Sequence, residues 1–374
     1  NPVPHLGRLE ATNPCGEQWL HDGDVCNLGS INLSKFIRNG KLDEERLKYV
    51  TRMSTRMLDN VIDISDFPVE KVNQRFRDNR RVGLGLMGFA DLLYQLRIGY
   101  DTQEGLDMAR YTMKLINETS IDESIKLAEK KGVFPNWEKS IFGPGGANIR
   151  RRNAALTTVA PTGSISMILD CSSGVEPFFA LAYYKEVMGG QKLPYVNQFL
   201  ERELKDRGLF SEEIMDKIIK SGSIQGIPEI PEDMKKVYVT AMDIGAADHT
   251  LMQAAFQEHV ENSISKTINF PNSATMEDVE NGYILAWEKG CKGCTVYRDG
   301  SRQEQVLNLH KEEKTPEQAL THAEEANGRP HRSLEVDATD ELKKNKICPE
   351  CKSTVKMAEG CILCITCGFS ACAV

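Results

Sequence analysis

The feature that most constrains the fold is an alternation of short apolar runs with long helical periods. The runs at 81–86, 154–160 and 263–270 are rich in Val, Ile, Leu and Thr, and the last two stop at Pro161 and Pro271. Proline cannot donate to a strand ladder, so each run ends there. At 42–65, Leu47, Val50, Met53, Met57, Leu58 and Val61 recur at spacings of three and four behind Asp43, Glu44 and Glu45. That spacing predicts a helix with one apolar face and an acidic first turn. A second long helix is predicted at 102–131, capped by Asp101 or Thr102 and stopped by Gly132. Further helices are predicted at 195–220, 245–262 and 276–289. Strands this short and apolar are buried on both faces, and helical crossovers between them produce parallel pairing. Residues 1–302 are therefore expected to form one α/β region with a largely parallel sheet or barrel.

The rest of the chain is of another kind. Residues 303–346 are rich in Glu, Lys, Gln, His and Thr and poor in large apolar groups, the composition of a flexible charged linker. Residues 347–374 hold six of the 11 cysteines. A net charge of −8 argues against a broadly basic face for nucleic acid. No run of 18 apolar residues predicts a membrane span, and the start, Asn1-Pro2-Val3-Pro4-His5, lacks a basic-then-apolar signal. A reducing, cytoplasmic setting is expected. The chain opens without Met and carries a dense motif in its first 20 residues, which reads as a beginning in mid-protein, either a fragment or one half of a split enzyme.

That motif is Asn13-Pro14-Cys15-Gly16-Glu17. In an extended segment alternate side chains share a face, so an amide, a thiol and a carboxylate would be presented together. A thiol can give up a hydrogen atom, and a carboxylate can take a proton from a hydroxyl. An incidental cysteine in a surface loop satisfies the same spacing. A second site candidate follows the run at 154–160, where Pro161-Thr162-Gly163-Ser164 turns towards a helix start. Free backbone N–H groups and hydroxyls at such a turn bind phosphate, and a plain capped turn looks alike. Gly83-x-Gly85-x-x-Gly88 is formally a dinucleotide-binding pattern, but no acidic residue ends a second strand about 20 residues on, so close strand-to-helix packing is the better reading.

Several words in order carry a family resemblance. The run Pro4-His5-Leu6-Gly7-Arg8-Leu9-Glu10-Ala11-Thr12-Asn13-Pro14-Cys15-Gly16-Glu17-Gln18, then Cys26-Asn27-Leu28-Gly29-Ser30-Ile31-Asn32-Leu33, resembles the catalytic loop of adenosylcobalamin-dependent (class II) ribonucleotide reductases. The likeness continues through Gly83 to Asp91, Pro161 to Ser166, Ser265 to Asn272 and Val296 to Arg302. It implies the carboxy-terminal part of a ten-stranded α/β barrel. It further implies that Cys15 is the thiyl cysteine that removes the ribose 3′ hydrogen, Glu17 the base for the 3′-hydroxyl, Asn13 the orienting amide and Cys26 one of two reducing thiols. The second reducing thiol belongs to the family's earlier sequence. Thr162, Gly163, Ser164 and Ser166 would hold the substrate phosphate. A class I relay of tyrosines is not evident around Tyr183-Tyr184, and no glycyl-radical loop of the class III kind is found. The resemblance therefore implies ribonucleoside diphosphates as substrate and adenosylcobalamin as cofactor. The implied partners are the upstream portion of the enzyme, a thioredoxin- or glutaredoxin-like reductant and a second copy in a homodimer.

In the tail, Cys348-Pro349-Glu350-Cys351 and Cys364-Ile365-Thr366-Cys367 are two CxxC knuckles separated by 12 residues. Four thiolates so spaced suit tetrahedral Zn²⁺, and a tail this short has little core without a metal. Cys361 competes with Cys364 as a ligand. The resemblance leaves Cys361 and Cys372 as a redox relay. The alternative is a non-catalytic accessory subunit whose zinc ribbon binds a partner or nucleic acid. Cys171, Cys291 and Cys294 are read as spectators, and the seven histidines suggest no second metal site.

Overall fold

The computed structural model describes residues 1–187 and 191–301 and, beyond them, the strands Val355–Ala358, Cys361–Cys364 and Ser370–Cys372. The chain divides into two compact units, Asn1–His310 and Lys311–Val374. The linker expected at 303–346 lies outside the described residues, as do Cys348, Cys351 and Cys367. Among the described residues no helix is long and apolar enough to cross a membrane.

The first unit opens with an antiparallel hairpin of β1 (Ala11–Thr12) and β2 (Trp19–Leu20), followed by β3 (Asn27–Asn32) and a smaller hairpin of β4 (Ile37–Arg38) and β5 (Lys41–Leu42). Helix α1 (Glu44–Ile64) starts where Asp43 accepts a hydrogen bond from the Arg46 backbone N–H, and it buries Leu47, Thr51, Leu58 and Ile62 on one stripe. Helix α2 (Glu70–Asn79) occupies the charged stretch before β6 (Val82–Met87), and the left-handed Arg80, φ +46°, reverses the chain between them. Helix α3 (Phe89–Leu96) precedes α4 (Gln103–Lys131). Thr102 rather than Asp101 caps α4, accepting from Gly105 N–H at 3.1 Å, and Gly132 ends it at φ +86°.

Helix α5 (Gly163–Ile168) is followed by the antiparallel hairpin β7 (Ala182–Val187) and β8 (Gln191–Val196). The single helix expected at 195–220 is two: α6 (Gln198–Asp206) and α7 (Glu212–Ser221). Gly208 takes φ +69°, and Ser211 caps the second helix through Ile214 N–H, so the apolar period is interrupted by a turn. Both helices bury Leu200, Leu204, Ile214 and Ile218 in a second core with Met234 of α8 (Glu232–Lys235). Helix α9 (Ala246–Gln257), β9 (Thr267–Phe270), α10 (Met276–Glu288) and β10 (Thr295–Arg298) complete the unit.

The three predicted runs lie side by side, but only the first is a strand over nearly its whole length: 154–160 makes isolated bridges alone, and of 263–270 only the last four residues form a strand. β3 pairs in parallel with β6, Asn27 opposite Val82 and Asn32 opposite Met87. The run at 154–160 lines the other edge of β6, with Leu84 N–H donating to Leu156 O at 2.8 Å and Thr158 N–H to Leu84 O at 3.1 Å. Val159 bridges in parallel to Ile264, and the chain beyond it enters β9, which pairs in parallel with β10. Side chains alternate across this sheet. Val82, Leu84 and Leu86 join Ile31, Leu58, Phe89, Met113 and Phe256 in the main core. Gly83 and Gly85 face the other way. A Cβ at Gly85 would lie 2.3 Å from Thr158 O, and one at Gly83 would lie 2.6 Å from Leu28 Cδ2. The glycine pattern thus serves close packing within a strand. Gly88 alone of the three has positive φ and sits at the helix start.

In the second unit β11 (Val355–Ala358), β12 (Cys361–Cys364) and β13 (Ser370–Cys372) form an antiparallel sheet in that order. The backbone register sets Cys361 opposite Cys372 and Cys364 opposite Val355.

Candidate active site at the Cys15 turn

The segment Asn13 to Gln18 joins β1 to β2 and is not extended, so Asn13, Cys15 and Glu17 do not alternate along a strand as expected. Asn13-Pro14-Cys15-Gly16 is a β-turn closed by Gly16 N–H donating to Asn13 O at 3.1 Å. The reason is local. Pro14 presets φ for the second turn position, and Gly16 relaxes into φ +79°. Asn13 Oδ1 then accepts from Gln18 N–H at 3.0 Å, and Asn13 N–H donates to Gln18 O at 3.1 Å, which shuts the loop. The turn still brings the three groups together, in depth rather than along a face. Cys15 is exposed at the tip, Asn13 is half-buried, and Glu17 is 1% exposed at the base. Among the described residues a Cβ at Gly16 would meet nothing within 4 Å, which leaves the backbone beside the thiol open to a ligand.

Distant segments fix the turn. Glu17 O accepts from Thr158 Oγ1 at 2.8 Å and from Ser263 N–H at 3.0 Å. Trp19 Nε1 donates to Lys292 O at 2.9 Å, and Arg81 Nη1 donates to Trp19 O at 3.2 Å. Sequence reading named none of Thr158, Ser263, Arg81 or Lys292 as a support. Thr158 sits inside a word that was read, but only contact reveals its task.

Cys26 is half-buried just before β3, near the start of β6. Burial pushes its thiol well above the ordinary range. The Arg81 guanidinium opposes this, while the carboxylates of Asp24 and Glu17 add to it. Cys26 is therefore protonated at neutral pH and shares an electrostatic neighbourhood with Glu17. Arg81 is held by Asp24, Nε to Oδ2 at 2.8 Å.

At the second candidate, Thr162 occupies φ +54°, a strained setting for a β-branched residue, just before α5. Its hydroxyl accepts from Gly174 N–H at 2.8 Å. Ser166 is buried, bonding to Gly163 O at 3.1 Å and to Ser173 Oγ at 2.8 Å. Gly163 and Ser164 are exposed at the helix start. Thr162 and Ser166 thus shape this turn, and Gly163 and Ser164 are the members open to an anion.

Burial raises the thiols of Cys171, to about 12, of Cys291, to about 11, and of Cys294. Among the described residues no group of three or more His, Cys, Asp or Glu is arranged to hold a metal.

Residues 1–297 match the family model described as the barrel domain of ribonucleotide reductases. The chain belongs to the ribonucleotide reductase family. The family read from the ordered words of the sequence is borne out. The barrel chain is 44% identical to the vitamin B12-dependent ribonucleoside-diphosphate reductase of Thermoplasma acidophilum over 341 residues, 91% of this chain and 44% of that protein. It is 43% identical over 308 residues to the protein of the same name from Mycobacterium tuberculosis, 82% of this chain and 44% of that one. Its fold is similar to that of the Actinobacillus ureae class Id ribonucleotide reductase alpha subunit, with a TM-score of 0.66 and 26% identity over 78% of this chain and 54% of that one. The chain therefore spans less than half the length of these two curated relatives.

Proposed function

We propose that this chain is the substrate-reducing portion of an adenosylcobalamin-dependent (class II) ribonucleotide reductase, which converts ribonucleoside diphosphates to 2′-deoxyribonucleoside diphosphates for DNA synthesis. The observation that carries this reading is the layering of the turn: an exposed Cys15 thiol, a buried Glu17 carboxylate beneath it and a protonated Cys26 in the same field. The names of the B12-dependent relatives support the choice of class.

Each residue has a task that its setting suits. Cys15 removes the 3′ hydrogen atom from the ribose. Glu17 takes the 3′-hydroxyl proton, and its burial keeps water away from the transfer. Asn13 uses its carbonyl to close the turn, which leaves its NH2 for the substrate. Cys26 gives a proton to the 2′-hydroxyl as it leaves as water. Cys26 and a thiol of the upstream portion then supply two electrons and become a disulfide. Gly163 and Ser164, braced by Thr162 and Ser166, hold the phosphate.

The open backbone at Gly16 and the exposed thiol fit a bulky radical source placed against Cys15. Adenosylcobalamin, when bound, supplies the radical that oxidises the Cys15 thiol. The thiol set Cys348, Cys351, Cys364 and Cys367 suits Zn²⁺, and Cys364 lies in the antiparallel tail sheet. Cys361 and Cys372, opposite one another in that sheet, form the dithiol that reduces the active-site disulfide and is itself reduced by a thioredoxin- or glutaredoxin-like protein. The complete enzyme is expected to be a cytoplasmic homodimer.

The decisive test is Cys15→Ser in the full-length enzyme. Deoxyribonucleotide formation is expected to fall at least about 10³-fold with an unchanged thermal midpoint. Retained turnover would sink the radical assignment.

A further inference from the structure

We infer that Gln18 contacts the substrate ribose, donating a hydrogen bond to the 2′ oxygen from between Cys15 and Cys26. This rests on the function proposed above and adds a residue to it. Gln18 is 2% exposed, yet neither Nε2 nor Oε1 has a hydrogen-bond partner among the described residues. A carboxamide has two donors and an acceptor oxygen, and leaving all of them empty inside a protein is costly unless something arrives to fill them. Most buried polar groups on the far side of the same sheet do have partners. Asn153 Nδ2, for example, bonds both Asp59 Oδ1 and Arg80 O.

The orphaned amide is well placed. Its backbone is bonded twice to Asn13, so the turn that presents Cys15 also positions Gln18. A Cβ at Gly83 would lie 2.9 Å from Gln18 Nε2, which sets the amide over the glycine face of β6. Gly83 is opposite Leu28 in the β3 register, two residues beyond Cys26. Gln18 is therefore tied by its backbone to the turn that carries Cys15, and its amide lies over the strand pair that follows Cys26. Two further buried atoms without partners adjoin the same turn, Glu17 Oε2 and Ser263 Oγ. Ser263 N–H is bonded to Glu17 O, and its Oγ lies 2.9 Å from where a Cβ at Gly293 would sit. Orphaned groups grouped around one turn call for a ligand bearing several hydroxyls, as a ribose does. An amide also suits the 2′ position: it donates to the leaving oxygen at any pH and does not compete with Cys26 as an acid.

The test uses the full-length enzyme with Cys15→Ser in the background, so that binding is measured without turnover. Dissociation constants are measured for a ribonucleoside diphosphate and for its 2′-deoxy counterpart, with Gln18 intact and with Gln18→Leu. The intact amide is expected to favour the ribonucleotide, and the leucine to weaken it about tenfold while leaving the 2′-deoxy compound unchanged. Gln18→Asn, which withdraws the amide by one methylene, serves if the leucine variant does not fold and should show the same selective loss. Equal affinities for both nucleotides before and after substitution would overturn the inference and leave the amide bonded to buried water. No ribonucleotide binding even with Gln18 intact would overturn the underlying function, and this inference with it.

Discussion

Arg80 and Arg81 are neighbours in the sequence and are 4% and 1% exposed, but they serve opposite sides of the sheet that begins with β6. Arg80 belongs to a closed network. Its guanidinium donates to Asp59 Oδ1 at 2.7 and 3.0 Å, to Asp59 O at 2.9 Å and to Asp63 Oδ1 at 2.7 Å. Lys131 and Arg152 close around the same two carboxylates. Arg81 is paired with Asp24 and Trp19 O, but among the described residues its Nη2 has no hydrogen-bond partner, and the unpartnered Glu17 and Gln18 atoms lie on the hairpin it supports. Every nitrogen of the Arg80 guanidinium is bonded, as befits a group that only holds the fold, and Arg152 Nε is the one buried atom of that network without a hydrogen-bond partner among the described residues. Pairing on the Arg81 side is left incomplete around the Cys15 turn, as befits a surface prepared for a ligand.

This contrast can be broken. Asp59 is fully buried, so Asp59→Ala would strand Arg80 without its main counter-charge; a loss of about 3–5 kcal/mol in urea unfolding is expected. A loss below about 1 kcal/mol would mean that the network contributes little. On the other side, a ribonucleoside diphosphate at 100 times its dissociation constant should raise the stability of the Cys15→Ser full-length enzyme by about 2.7 kcal/mol. No shift in thermal midpoint would count against a preformed site.

His249 sharpens the picture through pH. It is fully buried near β9, its Nε2–H donating to Ala241 O at 2.9 Å and its Nδ1 accepting from the Lys266 ammonium at 2.8 Å. Burial first, and then the Lys266 charge, pulls the imidazole from 6.5 to about 3. The unfolded chain takes up this proton below about 6.5 and the folded chain does not until about 3. The stability is therefore complete above 6.5 and is lost as pH falls through that window, at up to about 1.4 kcal/mol per pH unit. His249→Gln should flatten that slope in denaturation series at pH 7, 6, 5 and 4, and an unchanged slope would refute the assignment. The smallest effect is expected at Thr102→Ala, which removes the α4 cap and should lower stability by about 1 kcal/mol with no change in nucleotide affinity.

Much of this was legible in the residues. The strand at 81–86, the stop of β9 at Pro271, the acidic start of α1, the cap of α4 and the parallel α/β class follow from local period and punctuation, because apolar spacing and proline act within a few residues. The helix α2 escaped because its apolar content is low: Phe76 is its one large buried hydrophobic, and its other buried positions are Asn73 and Asn79. The split between α6 and α7 escaped because Gly208 stands in an otherwise continuous period.

At the site, residue order shaped the backbone of the turn locally. Pro14 and Gly16 set their own backbone angles, and the ordered words around Cys15 named the family. Tertiary structure decided the rest. Whether Glu17 is buried, whether Arg81 reaches Cys26 and whether Gln18 lacks a partner all depend on Thr158, Ser263 and the 292–293 segment, which lie more than 100 residues away in the chain. An unsatisfied atom is defined by everything packed around it, and no local pattern records that.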